Sequence, residues 1–275
     1  MMSKSQYILI AIGVVFVAGL MFMPRAVVRN NDKQVKEATT ASATENTANT
    51  THSETIPEDK KERIAQLQAN IQQATEQEAL PLLDKLIAEW KMINRYDSAA
   101  VAAEDFYTVH TKQPYLLNAA DLYYEAFTFA VNTEKVAQMG AKARGLYEKY
   151  LEKSPEDLDA KVKLGVTYVS TEAPMKGIFM IREVLKKDPN HKLALFNLGT
   201  LSLQSNQFDK AVGRFKKLVD LDSEDIQSRF YLAVCYKELG DKDKAIQQLN
   251  IVKEKAQDAQ IIATVDKYLT ELEAK

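Results

Sequence analysis

The chain has 275 residues, 46% hydrophobic and 27% charged, enough apolar side chains for a sizeable core and too many for disorder along its whole length. Nine glycines and seven prolines, well under the roughly 7% and 5% of average usage, exclude a turn-rich β-sandwich or barrel and leave an all-α protein as the expectation. A formal charge of −2 supplies no overall field for DNA or RNA, so no nucleic-acid partner is expected, and the one cysteine, Cys235, makes neither an intramolecular disulfide nor a structural zinc site by itself.

In chain order, the first element is the run from Tyr7 to Met23, which contains no charged side chain. As a helix it would span about 26 Å, at the short end of what crosses a bilayer, with Lys4 and Arg25 placed to snorkel to the headgroups. A cleaved signal peptide is the rival, but its apolar region is shorter and the small-x-small candidate Val17-Ala18-Gly19 lies inside the run. The pattern predicts a membrane anchor over 1–36 with a transmembrane helix at about 7–23, and hence a single-pass protein of the plasma or inner membrane in contact with the lipid bilayer. Arg25, Arg29, Lys33 and Lys36 outweigh Lys4, which places the following region in the cytoplasm. An extracytoplasmic orientation stays open, because long domains translocate largely regardless of flanking charge. Residues 37–56 are Thr, Ala, Asn, Ser and Glu in the main and predict a flexible tether. Over 57–79, Ile64, Leu67, Ile71 and Ala74 form one thin stripe of a helix that needs a partner surface.

From there a period emerges. Leu164-Gly165, Leu198-Gly199 and Leu232-Ala233 recur at one constant spacing, as do Gly177, Ala211 and Ala245, then Ile181, Phe215 and Leu249, then Val184, Leu218 and Val252. Four columns with one period define units 158–191, 192–225 and 226–259, each a helix, a tight turn and a second helix. Asn206-Gln207 and Gly240-Asp241 supply turns, and Asp188-Pro189 stops a second helix. A weaker unit spans 80–113, through Leu86, Trp90, Ala99, Ala103 and Phe106. Another spans 114–157, where the step from Tyr123 to Ala143 is more than twice that from Tyr168 to Gly177, so both of its helices are predicted longer, with a turn and N-cap at Asn132-Thr133. Residues 260–275 are predicted to form a capping helix, with Ile261, Ile262, Val265, Tyr268, Leu269 and Leu272 apolar on one side.

These residues resemble the tetratricopeptide repeat (TPR) family, whose pattern is W-x2-L-G-x2-Y, then A-x3-F, then P, in a unit of about 34 residues. The first clear copy has Leu164, Gly165, Tyr168, Gly177, Ile181 and Pro189; the next has Leu198, Gly199, Ala211 and Phe215, with Ser202 at the tyrosine position. The resemblance covers about 80–272. It implies a right-handed α-solenoid of helix hairpins, here behind an N-terminal transmembrane helix, with no catalytic activity and no cofactor.

The resemblance further implies a concave groove lined by positions 2, 5, 9 and 12 of each unit. Those are Asp159, Val162, Val166 and Val169; Leu193, Phe196, Thr200 and Leu203; Gln227, Phe230, Val234 and Lys237, with Leu117, Asp121, Tyr124 and Glu125 from the long unit. The family's carboxylate clamps use Lys, Arg and Asn, whereas this lining is mostly apolar, so the expected partner is a protein or peptide with an amphipathic helix or hydrophobic segment, membrane-associated or not. Alternatively the chain itself covers the lining, for instance with its helix at 58–78. At the tip of the long hairpin, Phe127, Phe129, Val136 and Met139 are either partly exposed contact surface or internal packing, with Phe129 then folded onto residues 173–175. No metal-ligand cluster, phosphate loop or nucleophile motif is present in the sequence, and His52, His110, His191 and Cys235 read as ordinary residues. Two functions fit: a membrane-tethered scaffold or adaptor, or a holdase-like accessory subunit for hydrophobic segments of unfolded or translocating proteins. The sequence leaves the oligomeric state open.

Overall fold

A computed structural model of the chain describes residues 56–171 and 173–274. The described residues form twelve α-helices and no strand: α1 (Glu58–Gln73), α2 (Glu76–Met92), α3 (Tyr96–His110), α4 (Gln113–Phe129), α5 (Thr133–Lys153), α6 (Leu158–Val169), α7 (Pro174–Lys187), α8 (Lys192–Gln204), α9 (Phe208–Leu221), α10 (Ile226–Glu238), α11 (Lys242–Lys255) and α12 (Ala259–Glu273). Five hairpins, α2/α3 through α10/α11, stack in chain order, each second helix packing on the next first helix, with α1 at one end and α12 at the other. This is the all-α solenoid expected from the repeat. The anchor and most of the tether lie outside the described residues. Among the described residues no helix is long and apolar enough to cross a membrane.

Local chemistry sets the boundaries. Asp157, His191 and Asp225, one repeat period apart, are the N-caps of α6, α8 and α10. Each accepts from a backbone N–H three residues on, at 2.9 Å, 3.4 Å and 2.9 Å, satisfying a donor the first turn leaves unpaired. His191 accepts through Nδ1, and its Nε2 lies 3.4 Å from Asp159. The turns inside the hairpins use left-handed residues: Asn94 (φ 55°), Asn206 (φ 57°) and Gly240 (φ 78°), amino acids for which that conformation costs little. Asn132 caps α5, accepting from the N–H groups of Glu134 and Lys135 at 2.7 Å and 3.4 Å, at the expected turn of the long hairpin. With 17 and 21 residues, α4 and α5 exceed the 12 to 14 of the helices that follow them in hairpins.

The first helix stops at Gln73 instead of running to residue 79. The Glu78 carboxylate accepts from both the backbone N–H and the hydroxyl of Thr75, at 3.0 Å and 2.7 Å, which starts α2 at Glu76, ahead of the boundary drawn at 80. Ile64 and Leu67 of α1 bury against Leu86, with Trp90, Ile93 and Ala102 around them. Glu89 on α2, 3% exposed, receives Lys60 at 2.7 Å and Arg63 at 2.9 Å, so α1 is both packed and ion-paired onto the first hairpin. The thin stripe of α1 is therefore satisfied by α2.

The repeat columns form the core. Ala99, Ala103, Ala119, Ala143, Tyr123 and Tyr147 pack through the first two hairpins, and Val162, Ile181, Val184, Ala194 and Leu198 join the third hairpin to the fourth. Where the tyrosine column carries Ser202, Arg214 of α9 reaches across to donate to its hydroxyl at 2.5 Å, so the small residue is filled from the facing helix. All of this core lies within Glu58–Lys275, which is one compact unit.

Candidate partner-binding surface

The first helices of successive hairpins touch one another along the stack, α6 with α8 and α8 with α10, so they form the inner, concave layer. The long-hairpin half of that layer is polar. Asp121 accepts from Lys163 at 2.7 Å and from the Tyr147 hydroxyl at 2.6 Å, while Glu125 pairs with Lys91. Burial first, and the negative charge of Asp121 second, push both Tyr124 and Tyr147 far above the ordinary phenol range, so neither ionises in the fold. The expected apolar lining is thus interrupted by ion pairs that staple α2 to α4 and α4 to α6. Spacing within one unit does not reveal these pairs, because their partners lie 34 and 42 residues apart.

The α6/α8 half is apolar and partly open. Val166, Val169, Leu193, Phe196, Thr200 and Leu203 are half-buried, and Asp159 is exposed at its rim. Phe196 packs T-shaped against Phe215 and Tyr231, at 6.0 Å and 5.3 Å between ring centres.

Three lining residues are corrected. Val162, fully buried, belongs to the core with Ile181 and Val184, because a short side chain at this position is closed over by its neighbours. Phe230 and Val234 are each 3% exposed. Their cover is α12: Tyr268 meets Phe230 edge-on at 5.3 Å, and Lys237 lies 4.5 Å over the Tyr268 ring and donates to Glu271 at 2.6 Å. Gln227 is half-buried beside them. Self-coverage of the groove is therefore real but partial, and it comes from the C-terminal helix, not from the helix at 58–78.

The hairpin tip is mostly internal packing. Phe127 is buried on Gly140, where an added Cβ would come within 3.0 Å of the ring. Phe129 stacks on Tyr96 at 4.2 Å with an interplanar angle of 4°, so it folds back onto the preceding hairpin and not onto residues 173–175. Val136 and Met139 are half-buried. The exposed apolar residue of the tip is Val131, which no periodicity marks.

On the outer side, α3 lies recessed between α1 and α5 beneath a cleft of about 760 Å³, lined among others by Trp90, Val101, Glu104, Asp105, Tyr123 and Lys142. The signal for it is the alanine-rich run of α3, too small to fill the outer layer. Its carboxylates are largely committed: Glu104 accepts from the Tyr123 hydroxyl and from Lys142 at 3.0 Å, and Asp97 from Lys135 at 2.9 Å and Arg95 at 3.2 Å.

Cys235 is fully buried in α10, and burial pushes its thiol up to about 12. It is expected to resist a thiol-specific aromatic disulfide reagent in the native protein at pH 8 and to react within seconds once guanidinium unfolds the chain. Rapid native labelling would place this helix elsewhere.

Residues 202–265 match the tetratricopeptide repeat family model. Among solved structures, a thermophilic TPR protein from Thermus thermophilus is 19% identical, covers 71% of this chain and 100% of its own, and superposes with a TM-score of 0.54. A tetratricopeptide repeat protein from Parabacteroides merdae is 17% identical, covering 79% and 90%, with a TM-score of 0.51. No curated protein matches the chain. At these identities the structural likeness speaks to the fold.

Proposed function

For a chain that folds as a stack of helix hairpins and matches the tetratricopeptide repeat family model over residues 202–265, we propose a membrane-tethered scaffold that recruits a protein partner through the concave side of its third and fourth hairpins. The observation that carries this reading is the half-buried strip of Val166, Leu193, Phe196, Thr200 and Leu203 on α6 and α8, helices that make no substantial contact with α12. An amphipathic helix or hydrophobic segment is the chemistry it suits: apolar side chains complete the strip, and the Lys163–Asp121 pair beside it offers polar contacts at one end. The tether rests on the uncharged run from Tyr7 to Met23, and the flanking Arg and Lys residues favour the cytoplasmic side.

Introducing charge with Thr200→Asp and Leu203→Asp in the full chain should cut recovery of the partner from solubilised membranes at least about tenfold, the loss of a central contact or two. Both positions are only half-buried, so the far-UV circular dichroism should not change. Undiminished recovery would move the site off this strip. One or two stoichiometric partners fit an adaptor; a broad set of substoichiometric clients would favour the holdase instead. Release of the full chain from membranes by alkaline carbonate would remove the tether from the proposal.

A further inference from the structure

In the second, third and fourth hairpins charge is segregated between the two layers of the solenoid. The outer helices α5, α7 and α9 together carry thirteen Lys or Arg against six Asp or Glu, a net +7. The inner helices α4, α6 and α8 carry three of each, a net of zero, in a chain whose total is −2. The outer charges crowd one another: Arg144 of α5 and Lys176 of α7 converge on the Tyr168 ring, 5.1 Å and 3.8 Å from its centre. Arg214 of α9 is held below the ordinary guanidinium range by burial and by Arg182 of α7. Lys135, Lys142 and Lys187 of this surface pair with Asp97, Glu104 and Glu156, and Arg214 fills the space at Ser202, but Arg182, Lys216 and Lys217 make no ion pair among the described residues, so their charge is left for something outside the chain.

The same surface carries the exposed aromatic side chain of the described residues. Phe179 is 61% and Met175 66% exposed, one turn apart on α7, and Arg182 and Lys186 continue the stripe at helical spacing, with Lys186 5.8 Å over the Phe179 ring. The first helices touch along the stack, so the outer layer is convex, and α7 belongs to the third of five hairpins, at its crest. A convex surface meets a plane at its crest.

We propose that the outer face of α5, α7 and α9 docks peripherally on an anionic phospholipid bilayer, with Phe179 and Met175 entering the acyl boundary and the surrounding Lys and Arg side chains meeting the headgroups. An apolar pair ringed by snorkelling cations is the pattern of an interfacial surface, and it separates this reading from nucleic acid, which would leave the apolar pair without a role. The inference goes beyond partner recruitment by the concave side and needs no transmembrane helix.

The test uses residues 56–275, whose core is self-contained, with sedimentation on vesicles made of two parts phosphatidylcholine to one part phosphatidylglycerol. Binding is expected in low salt, falling steeply as added NaCl shortens the screening length, and absent on pure phosphatidylcholine. Each cation near an anionic surface is worth about fivefold in binding, so Arg182→Glu with Lys186→Gln should lose at least about tenfold. Met175→Ser with Phe179→Ser should weaken binding severalfold, and circular dichroism should match the parent because all four side chains are solvent-facing. No binding to the anionic vesicles, equal binding to pure phosphatidylcholine, or unchanged binding by both double variants overturns the proposal. Tighter retention on duplex DNA than on the vesicles at matched salt overturns it in favour of a nucleic-acid surface.

Discussion

Replacing Gly177 by alanine should destabilise the solenoid by about 3 kcal/mol or more, at the upper end of what overpacking costs. A Cβ built on Gly177 would lie 2.2 Å from the Gly165 carbonyl oxygen and 2.9 Å from both the backbone N and Cγ2 of Val169. Gly165 is equally confined, with its own Cβ site 2.8 Å from Ile181 and 2.9 Å from the Gly177 oxygen. Both obstacles include helix backbone, which cannot rotate away as a side-chain end can, so α6 and α7 would have to part and open the core around Ile181. Gly199 faces a milder obstacle, the far end of the Phe215 ring at 2.8 Å. Gly213 has nothing within 4 Å, and alanine there should stabilise by about 0.5–1 kcal/mol through the smaller entropy lost by a helical alanine. Thermal melts should therefore rank Gly213→Ala above the parent, then Gly199→Ala, then Gly177→Ala. A Gly177→Ala protein melting with the parent would mean that α6 and α7 do not cross at these two glycines.

The contrast between these glycines marks what the sequence discloses. Gly165, Gly177 and Gly199 sit in repeat columns because the two helices of one hairpin meet there, and that contact recurs once in every unit. The N-caps at Asp157, His191 and Asp225 obey the same period, but a histidine in the middle copy disguises the column. What the period does not carry is any contact that occurs once. Phe230 and Val234 stand where the family's groove residues stand, yet the helix after the last hairpin covers them. Phe129 finds Tyr96 in the preceding hairpin only because α4 is long enough to reach that turn. The positive field of the outer layer is hidden by the total, since a chain at −2 gives no hint that three helices sum to +7.

Removing residues 258–275 should turn the remaining solenoid into an aggregating protein. Asp258 caps α12 by accepting from the Gln260 N–H at 2.7 Å, and Ile261, Val265, Tyr268 and Leu272 are buried by the helix it starts. The effect of α12 lies in what it closes. Without it, Phe230 and Val234 reach solvent beside the outer side of α11, and Lys237 loses both the Tyr268 ring and the Glu271 carboxylate. A contiguous apolar end of this kind is a stacking face with no partner, and another copy of the truncated chain offers the same face for pairing. Size-exclusion chromatography with light scattering should show oligomers of the 56–257 fragment at concentrations where 56–275 elutes unchanged. Tyr268→Ala, which keeps the helix but removes its central contact, should cost about 2–4 kcal/mol and give an intermediate tendency to associate. If the truncated fragment stays as dispersed and as stable as its parent, the fifth hairpin is closed by something other than α12, and Phe230 and Val234 return to the concave lining as residues a partner could reach.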